Sequence, residues 1–443
     1  MKDTKRYAKA SGRRRSGTRR ARRQRQLICI FACLILCSLA GYLGFRHIAK
    51  TEKPVVILPT PTPSIAVRKM DAASVEAALP YGLYTESYTS SLSEDDLWME
   101  DFVDTRTPTN VKGIYLTAEV LNKKFDDVAA LLDESEINTV IFDIKNDKGY
   151  LTVKMDSPLL KEKGETLLFM SNLPALIAKL KAHNIYCIAR IVCFRDNFTP
   201  VKTPEFGVHM KSGGLMKDKE GFYWLNPFNK DLWEFLTEIG REAAKAGFDE
   251  INFDYCRFST DSKVKDADFG SELTAENKEA AITGFVKYAC EQLKPLGVYV
   301  SVDVFGVVLS SANDASAVGQ NYAEMSKYLD YICPMVYPSH YGKGYYNLDI
   351  PDKHPYELIY NAMLDSKKSL ASNKAKGRCA DVRPWLQAFT ATWVSGHINY
   401  GAKELKDQIR ATYDAGYTGW LLWNAAPNSV YSAFREAFEP EGQ

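Results

Sequence analysis

The sequence predicts an α/β protein, a (β/α)8 barrel of the TIM type, preceded by an N-terminal transmembrane helix and a Pro/Thr-rich linker. Three observations predict it. From Val111 to Phe438 the chain repeats a short apolar strand, a loop and an amphipathic helix, and does so eight times. The strands are near-continuous apolar runs, as a parallel sheet buried on both faces requires. Polar residues recur late in several of them, where that fold gathers its active site. A doubly wound open sheet is the competing fold, but no Gly-rich phosphate loop follows the first strand.

Of the 56 Lys and Arg in the 443 residues, twelve lie in residues 1–26, against a single acid, Asp3. Leu27 to Phe45 then runs 19 residues without a charge. At 1.5 Å per residue a helix of that length covers about 28 Å, close to the hydrocarbon thickness of a bilayer. The positive-inside rule places the basic tail in the cytoplasm and everything after the span outside. A nucleic-acid-binding arm and a signal peptide cleaved after Ser38 and Ala40 are the other readings of these residues. The apolar run continues past Ala40 to Phe45, which favours an uncleaved, single-pass anchor in the cell membrane.

Beyond the tail, 44 basic residues face 54 acidic ones, a balance of about −10 that argues against nucleic acid as the exterior domain's ligand. Residues 46–108 read as a linker: the Thr-Pro alternation of KPVVILPTPTPSI favours extended polyproline geometry, and the polar stretch after it has no sustained period. The barrel domain is expected over residues 109–438.

The strands are expected at 111–117, 139–146, 186–194, 250–258, 299–307, 330–338, 381–389 and 418–425. Helical periodicity marks FDDVAALLDESE, LPALIAKLKAHN, DLWEFLTEIGREAAKAG and AKELKDQIRATYDAG, several closing on Asn or Gly. Cys187, Cys193, Cys256 and Cys333 fall inside strand-like runs without CxxC or zinc-like spacing, so they read as small buried hydrophobes. No metal or cofactor is expected.

Asp143, Arg190, Asp254, Arg257, Asp303, Tyr337, His340, Gln387, Trp423 and Asn424 all fall late in a strand or just beyond it. Period-two alternation puts Asn252, Asp254 and Cys256 on one face of the fourth strand and Tyr299, Ser301 and Asp303 on one face of the fifth. Asp254 and Asp303 are therefore the candidate carboxylate pair of a glycosidase, one to attack or stabilise an oxocarbenium-like centre and one held protonated to assist the leaving group. A salt bridge from Asp254 to Arg257 at the barrel rim is the plain structural alternative. Asp143 could be the second acid or position substrate, and Arg190 and Arg257 could orient carboxylates or bind anionic groups. Tyr337, His340, Gln387, Trp423 and Asn424 complete the expected substrate-binding set. Trp385, Trp393, Trp420 and Trp423, with Tyr341, Tyr345 and Tyr346, concentrate aromatic rings in the last three units, and such rings suit the apolar faces of pyranoses. Trp420 reads as packing, and the HYGKGYYN loop as a pocket wall.

Taken together, VKGIYLTAE, FDIKNDKGY, IARIVCFRD, INFDYCRF, SVDVFG, CPMVYPSHY and GWLLWN resemble a bacterial family of glycoside-hydrolase-like proteins catalogued as a domain of unknown function and related to the α-amylase-like barrels. The resemblance covers residues 109 to 438, in order. It implies a (β/α)8 barrel acting on carbohydrate, with Asp254 in the place such barrels use for the nucleophile. α-Amylase-like enzymes usually carry a Glu acid/base at strand five, where this chain has Asp303. The expectation is a membrane-anchored, extracytoplasmic glycoside hydrolase acting on a cell-wall or extracellular polysaccharide. A non-catalytic carbohydrate-binding barrel is the alternative, and a metal-dependent deacetylase is disfavoured because the six histidines offer no pair at helical spacing.

Overall fold

The computed structural model describes Met99, residues 102–424 and residues 431–438. The expected span Leu27–Phe45 and most of the linker lie outside the described residues, and no helix among these is long and apolar enough to cross a membrane.

Eight parallel strands close a barrel: β1 (Lys112–Tyr115), β2 (Thr139–Lys145), β3 (Tyr186–Val192), β4 (Glu250–Asp254), β5 (Tyr299–Phe305), β6 (Tyr331–Met335), β7 (Trp385–Gln387) and β8 (Trp420–Trp423). Each strand pairs with its neighbours in chain order, and β1 pairs with both β2 and β8, which closes the ring. All seven residues of β2 and of β3 are buried, the two-sided burial that their unbroken apolar runs require. Alternate residues serve two separate cores. Val140, Phe142, Ile144, Ile251, Phe253, Val300 and Val302 join the outer cluster with the helices, whereas Ile141, Ile188, Cys333, Trp385 and Leu421 fill the barrel interior.

The principal helices are α1 (Phe125–Asp133), α2 (Leu173–Ala182), α3 (Lys230–Lys245), α4 (Ala275–Leu293), α5 (Ala312–Val318), α6 (Pro355–Ala375) and α7 (Ala402–Asp414). Asn172, Asn229 and Thr274 cap α2, α3 and α4 by accepting from backbone N–H groups two or three residues into the helix. The α3 sequence alternates so that Leu232, Trp233, Phe235, Leu236, Ile239 and Ala243 are buried on one side.

The strand boundaries differ from expectation where the backbone runs out of straight partners. β4 stops at Asp254, four residues early, because Tyr255 adopts a positive φ of 50°. β7 is interrupted: Asp381–Val382 pairs with β6, and Trp385–Gln387 resumes after Pro384, which has no N–H to donate to the ladder. Two further strands extend the barrel sheet, Tyr150–Val153 antiparallel to β2 and Glu165–Met170 beside it, and His209–Met210 pairs with Ala267–Asp268 in a separate ribbon; the sequence pattern marks none of these four. A tight turn makes the first possible: Asn146 Oδ1 accepts from Lys148 N and Tyr150 N, both at 3.1 Å, while Gly149 sits at φ 100°.

A buried polar layer closes the end of the barrel away from the late-strand residues. Glu250 accepts from Arg383 Nη2 at 2.5 Å, Ser301 Oγ at 2.5 Å and Tyr186 Oη at 3.1 Å. The Arg383 guanidinium stacks 3.7 Å from the Tyr331 ring centroid. Arg106, within the stretch read as linker, donates to Val298 O at 2.7 Å and to Asp330, and lies 4.2 Å over the Tyr299 ring. Arg383→Met is expected to lose about 3–5 kcal/mol, because it strands a buried carboxylate that Ser301 and Tyr186 cannot neutralise. Urea unfolding measures this, and a loss below about 1 kcal/mol would show that Glu250 does not depend on its ion pair.

Candidate active site

At the C-terminal ends of the strands lies a cavity of about 890 Å³. It gathers Asp143, Arg190, Asp254, Arg257, Asp303, Tyr337, His340 and Trp423 from the expected set. Gln387 and Asn424 are not among its walls. Gln387 is fully buried; its Nε2 donates to Asp352 Oδ1 and Phe389 O, both at 3.1 Å, and its Oε1 accepts from Ser339 N at 3.0 Å, so it braces two loops beneath the cavity. Asn424 Nδ2 donates to Ala388 O at 2.7 Å and ties β8 to the segment after β7.

The centre of the site is one guanidinium between two carboxylates. Arg190, on β3, donates from Nη1 to Asp143 Oδ1 at 2.6 Å and from Nε to Asp254 Oδ2 at 3.0 Å, with Nη2 on that same oxygen. The strand register makes this possible: Asp143 pairs with Arg190 across β2 and β3, and Val192 pairs with Asp254 across β3 and β4. Burial alone would disfavour the charge on Arg190, but the two carboxylates more than offset it and push its pKa upward. Burial raises Asp143, and Arg190 together with the Tyr115 hydroxyl, which donates to Oδ2 at 2.7 Å, works against that rise. Asp254 Oδ1 accepts from the backbone N–H of Tyr255 at 2.6 Å.

Asp303 is treated differently. It is 1% exposed and lies on β5, which meets β4 with Asn252 opposite Ser301 and Phe253 opposite Val302. Extending that register sets Asp303 beside Asp254. Burial, and then the charge of Asp254, raise its pKa well above the usual carboxylate range. Its Oδ1 accepts two hydrogen bonds, from Asn252 Nδ2 at 2.9 Å and Trp385 Nε1 at 2.7 Å. These two bonds favour the charged form and work against the rise, but burial and the neighbouring charge of Asp254 outweigh them. The site thus holds, on neighbouring strands, a carboxyl group paired with Arg190 and one that burial and its neighbour push toward the neutral form.

Arg257 forms no ion pair with Asp254, the structural alternative raised for it, nor with Asp143; Arg190 holds both carboxylates. β4 ends at Asp254 and turns at Tyr255, so Arg257 leaves the strand direction and its guanidinium lies 4.5 Å from the Phe305 ring centroid and 4.9 Å from that of Trp224. The aromatic walls divide similarly. Tyr337 and His340 meet edge to face at 5.2 Å, and Trp423 lies 4.2 Å from Tyr115 and 5.0 Å from the Arg190 guanidinium. Tyr341 lines the cavity, but Tyr345 and Tyr346 fold back on it, with Tyr346 donating to Asp365 on α6 at 2.7 Å. Trp420 is packing, as expected, stacked on Phe438 in the outer core. Tyr115 and the Trp385 indole N–H were not singled out as contacts of the acids, although Tyr115 falls at the late, inward position of its strand, as Asp143 does in β2.

A protein family described as "putative glycosyl hydrolase domain" matches residues 113–429. The chain belongs to this family. The match takes in all eight strands except Lys112, the first residue of β1, so the barrel just described is the part of the chain that this family covers. Among solved structures, a hypothetical protein from Ruminiclostridium thermocellum is 35% identical, over 43% of this chain and 97% of its own, with a TM-score of 0.39. The glycoside hydrolase domain of PgaB (BpsB) from Bordetella bronchiseptica is 14% identical, over 75% of this chain and 100% of its own, with a TM-score of 0.53, a likeness of fold. No curated protein matches.

Proposed function

We propose that the barrel hydrolyses glycosidic bonds in a cell-wall or extracellular polysaccharide, with Asp254 as the nucleophilic or charge-stabilising carboxylate and Asp303 as the acid. The observation that carries this reading is the unequal treatment of two neighbouring carboxyl groups in one cavity, one bonded to Arg190 and the other pushed toward its neutral form by burial and by its neighbour's charge. Environments that separate two acids in this way assign them opposite roles in proton transfer. Asp303 would give its proton to the departing oxygen while Asp254 meets the positive charge developing at the anomeric carbon. Arg190 holds Asp254 in place, and Tyr337 and Trp423 supply flat walls for a sugar ring. The α/β barrel sits outside the cell in this proposal, held by Leu27–Phe45 as a single-pass anchor and separated from it by the linker up to residue 108.

The test is a panel of wall and extracellular polysaccharides incubated with the full chain, reading released reducing ends and bound fraction together. Released ends that vanish with Asp254→Asn support hydrolysis, whereas binding without release supports the carbohydrate-binding barrel. Protease added to intact cells should remove the barrel and spare the basic tail; a mature N-terminus at Gly41 would show cleavage.

A further inference from the structure

We propose that the sugar bound beside Asp254 carries an anionic group, a carboxylate or a phosphate, and that Arg257 binds it. The inference rests on the glycosidase reading of the cavity and deepens it to a substrate class.

The argument begins with what Arg257 lacks. Arg190 holds two carboxylates, Arg383 holds Glu250, Arg106 holds Asp104 and Asp330, and Arg195 holds Glu220. Arg257 lines the cavity, and the protein partner of its guanidinium is a neutral one, Phe258 O at 2.9 Å from Nη1. Among the described residues no carboxylate forms an ion pair with it. Its Nε and Nη2 have no hydrogen-bond partner in the protein, yet they are not sealed in as the Nε and Nη1 of Arg383 are. Two donors of a fixed fork are thus left without a protein acceptor on a residue of the cavity wall.

Three aromatic rings flank that fork. Phe305, Trp224 and Tyr255 surround it at 4.5, 4.9 and 5.2 Å from their ring centroids. Aromatic faces orient a guanidinium without neutralising it. Burial accordingly lowers its pKa to about 10, the opposite of the carboxylate-paired arginines. Asp254 acts on it through space but is already engaged by Arg190.

The backbone is shaped to deliver this side chain. Tyr255 holds φ at 50°, a conformation unfavourable for a bulky residue, and Arg257 N closes the turn on Tyr255 O at 2.9 Å. That strain sits one residue after Asp254, and its result is to send Arg257 to the cavity wall. A hydroxyl of a neutral sugar would satisfy the donors but return no charge. A carboxylate or phosphate oxygen pair matches the fork, and charge-assisted bonds are roughly twice as strong as neutral ones.

The test compares matched glycans on the full chain in detergent, in an Asp254→Asn background so that nothing is turned over. Calorimetry follows two pairs: uronate oligosaccharides against their carboxyl-reduced counterparts, and phosphate-substituted glycans against their dephosphorylated counterparts. One charged member should bind at least about tenfold more tightly than its neutral partner, and the pair that shows this separates carboxylate from phosphate. In Arg257→Gln the charged member's preference should fall below about threefold, and Arg257→Lys, a point charge without the fork, should keep part of it. Arg257→Lys also serves if Arg257→Gln does not fold. No preference in either pair, or a preference that survives Arg257→Gln, overturns the proposal. Turnover of neutral glycans by the unmodified chain without charge preference retains the hydrolase and overturns the anion site; charge preference without any turnover does the reverse.

Discussion

Asp254→Asn is expected to lower kcat by on the order of 10⁴-fold or more while glycan affinity stays within about threefold. The carboxamide has the shape of the carboxylate, and its oxygen can still accept from Arg190 Nε, whose bond to Asp254 Oδ2 is 3.0 Å long. What it loses is the charge that meets the anomeric carbon. Folding should survive, because Arg190 keeps Asp143 at 2.6 Å as a second carboxylate partner. Single-turnover assays beside calorimetry separate chemistry from binding. If Asp254 attacks, Asp254→Ala with added azide should regain turnover of an aryl glycoside and yield a glycosyl azide of inverted configuration. A kcat within about tenfold of the unmodified chain would remove Asp254 from the chemistry and leave it as a brace for Arg190.

Asp303→Asn has two large effects, and they move in opposite directions. Turnover of substrates with poor leaving groups should fall by about 10²–10⁴-fold, whereas activated aryl glycosides, which need little protonation, should react nearly as before. Equal losses on both would make Asp303 a positioning residue. Stability should rise. The folded-state pKa of Asp303 is raised, so between its unfolded value and that raised value the folded chain holds a proton that the unfolded chain has released. Stability contributed by this group is therefore full below the unfolded pKa and declines as pH rises toward the folded one, by about 1.4 kcal/mol per pH unit. The Asn variant has no such decline. Its advantage in urea unfolding should be small near pH 4 and grow as pH increases; a difference that does not change with pH would show that Asp303 is not a buried acid of raised pKa. The basic limb of the pH–rate profile should belong to this same proton.

Arg257 marks where strand periodicity stopped being a guide. Alternation placed Asp254 and Asp303 correctly on facing positions of β4 and β5, because the side-chain period of two is a local property of extended backbone. It had no means of showing that Tyr255 leaves that backbone at φ 50°. With the strand ended at Asp254, residue 257 is no longer in phase with anything, and its partners are rings brought from β5 and from the segment before α3. Arg190 holds both Asp143 and Asp254 because it sits on the strand between them, a neighbour relation that exists only once β2, β3 and β4 are paired.

Gln387 and Asn424 show the same limit from the other side. Both fall at the right end of their strands, but the position along a barrel strand does not say whether a side chain reaches the cavity or turns to a loop. Gln387 is out of phase with Trp385 only in what surrounds it: Asp352, Phe389 and Ser339 come from loops whose course the sequence pattern does not describe.

Eight strands, their order, the helices between them and the end of the barrel that holds the acids were legible in the chain, since burial on two faces leaves unbroken apolar runs and helices leave a period of 3.6. The protonation of the acids was not legible. Asp254 and Asp303 are the same residue type, and what sets them apart is Arg190 arriving from one neighbouring strand and burial with Trp385 and Asn252 on the other. Desolvation and charge proximity act through space at a few ångströms, and only the closed barrel brings residues 143, 190, 254, 303 and 385 within that range of one another.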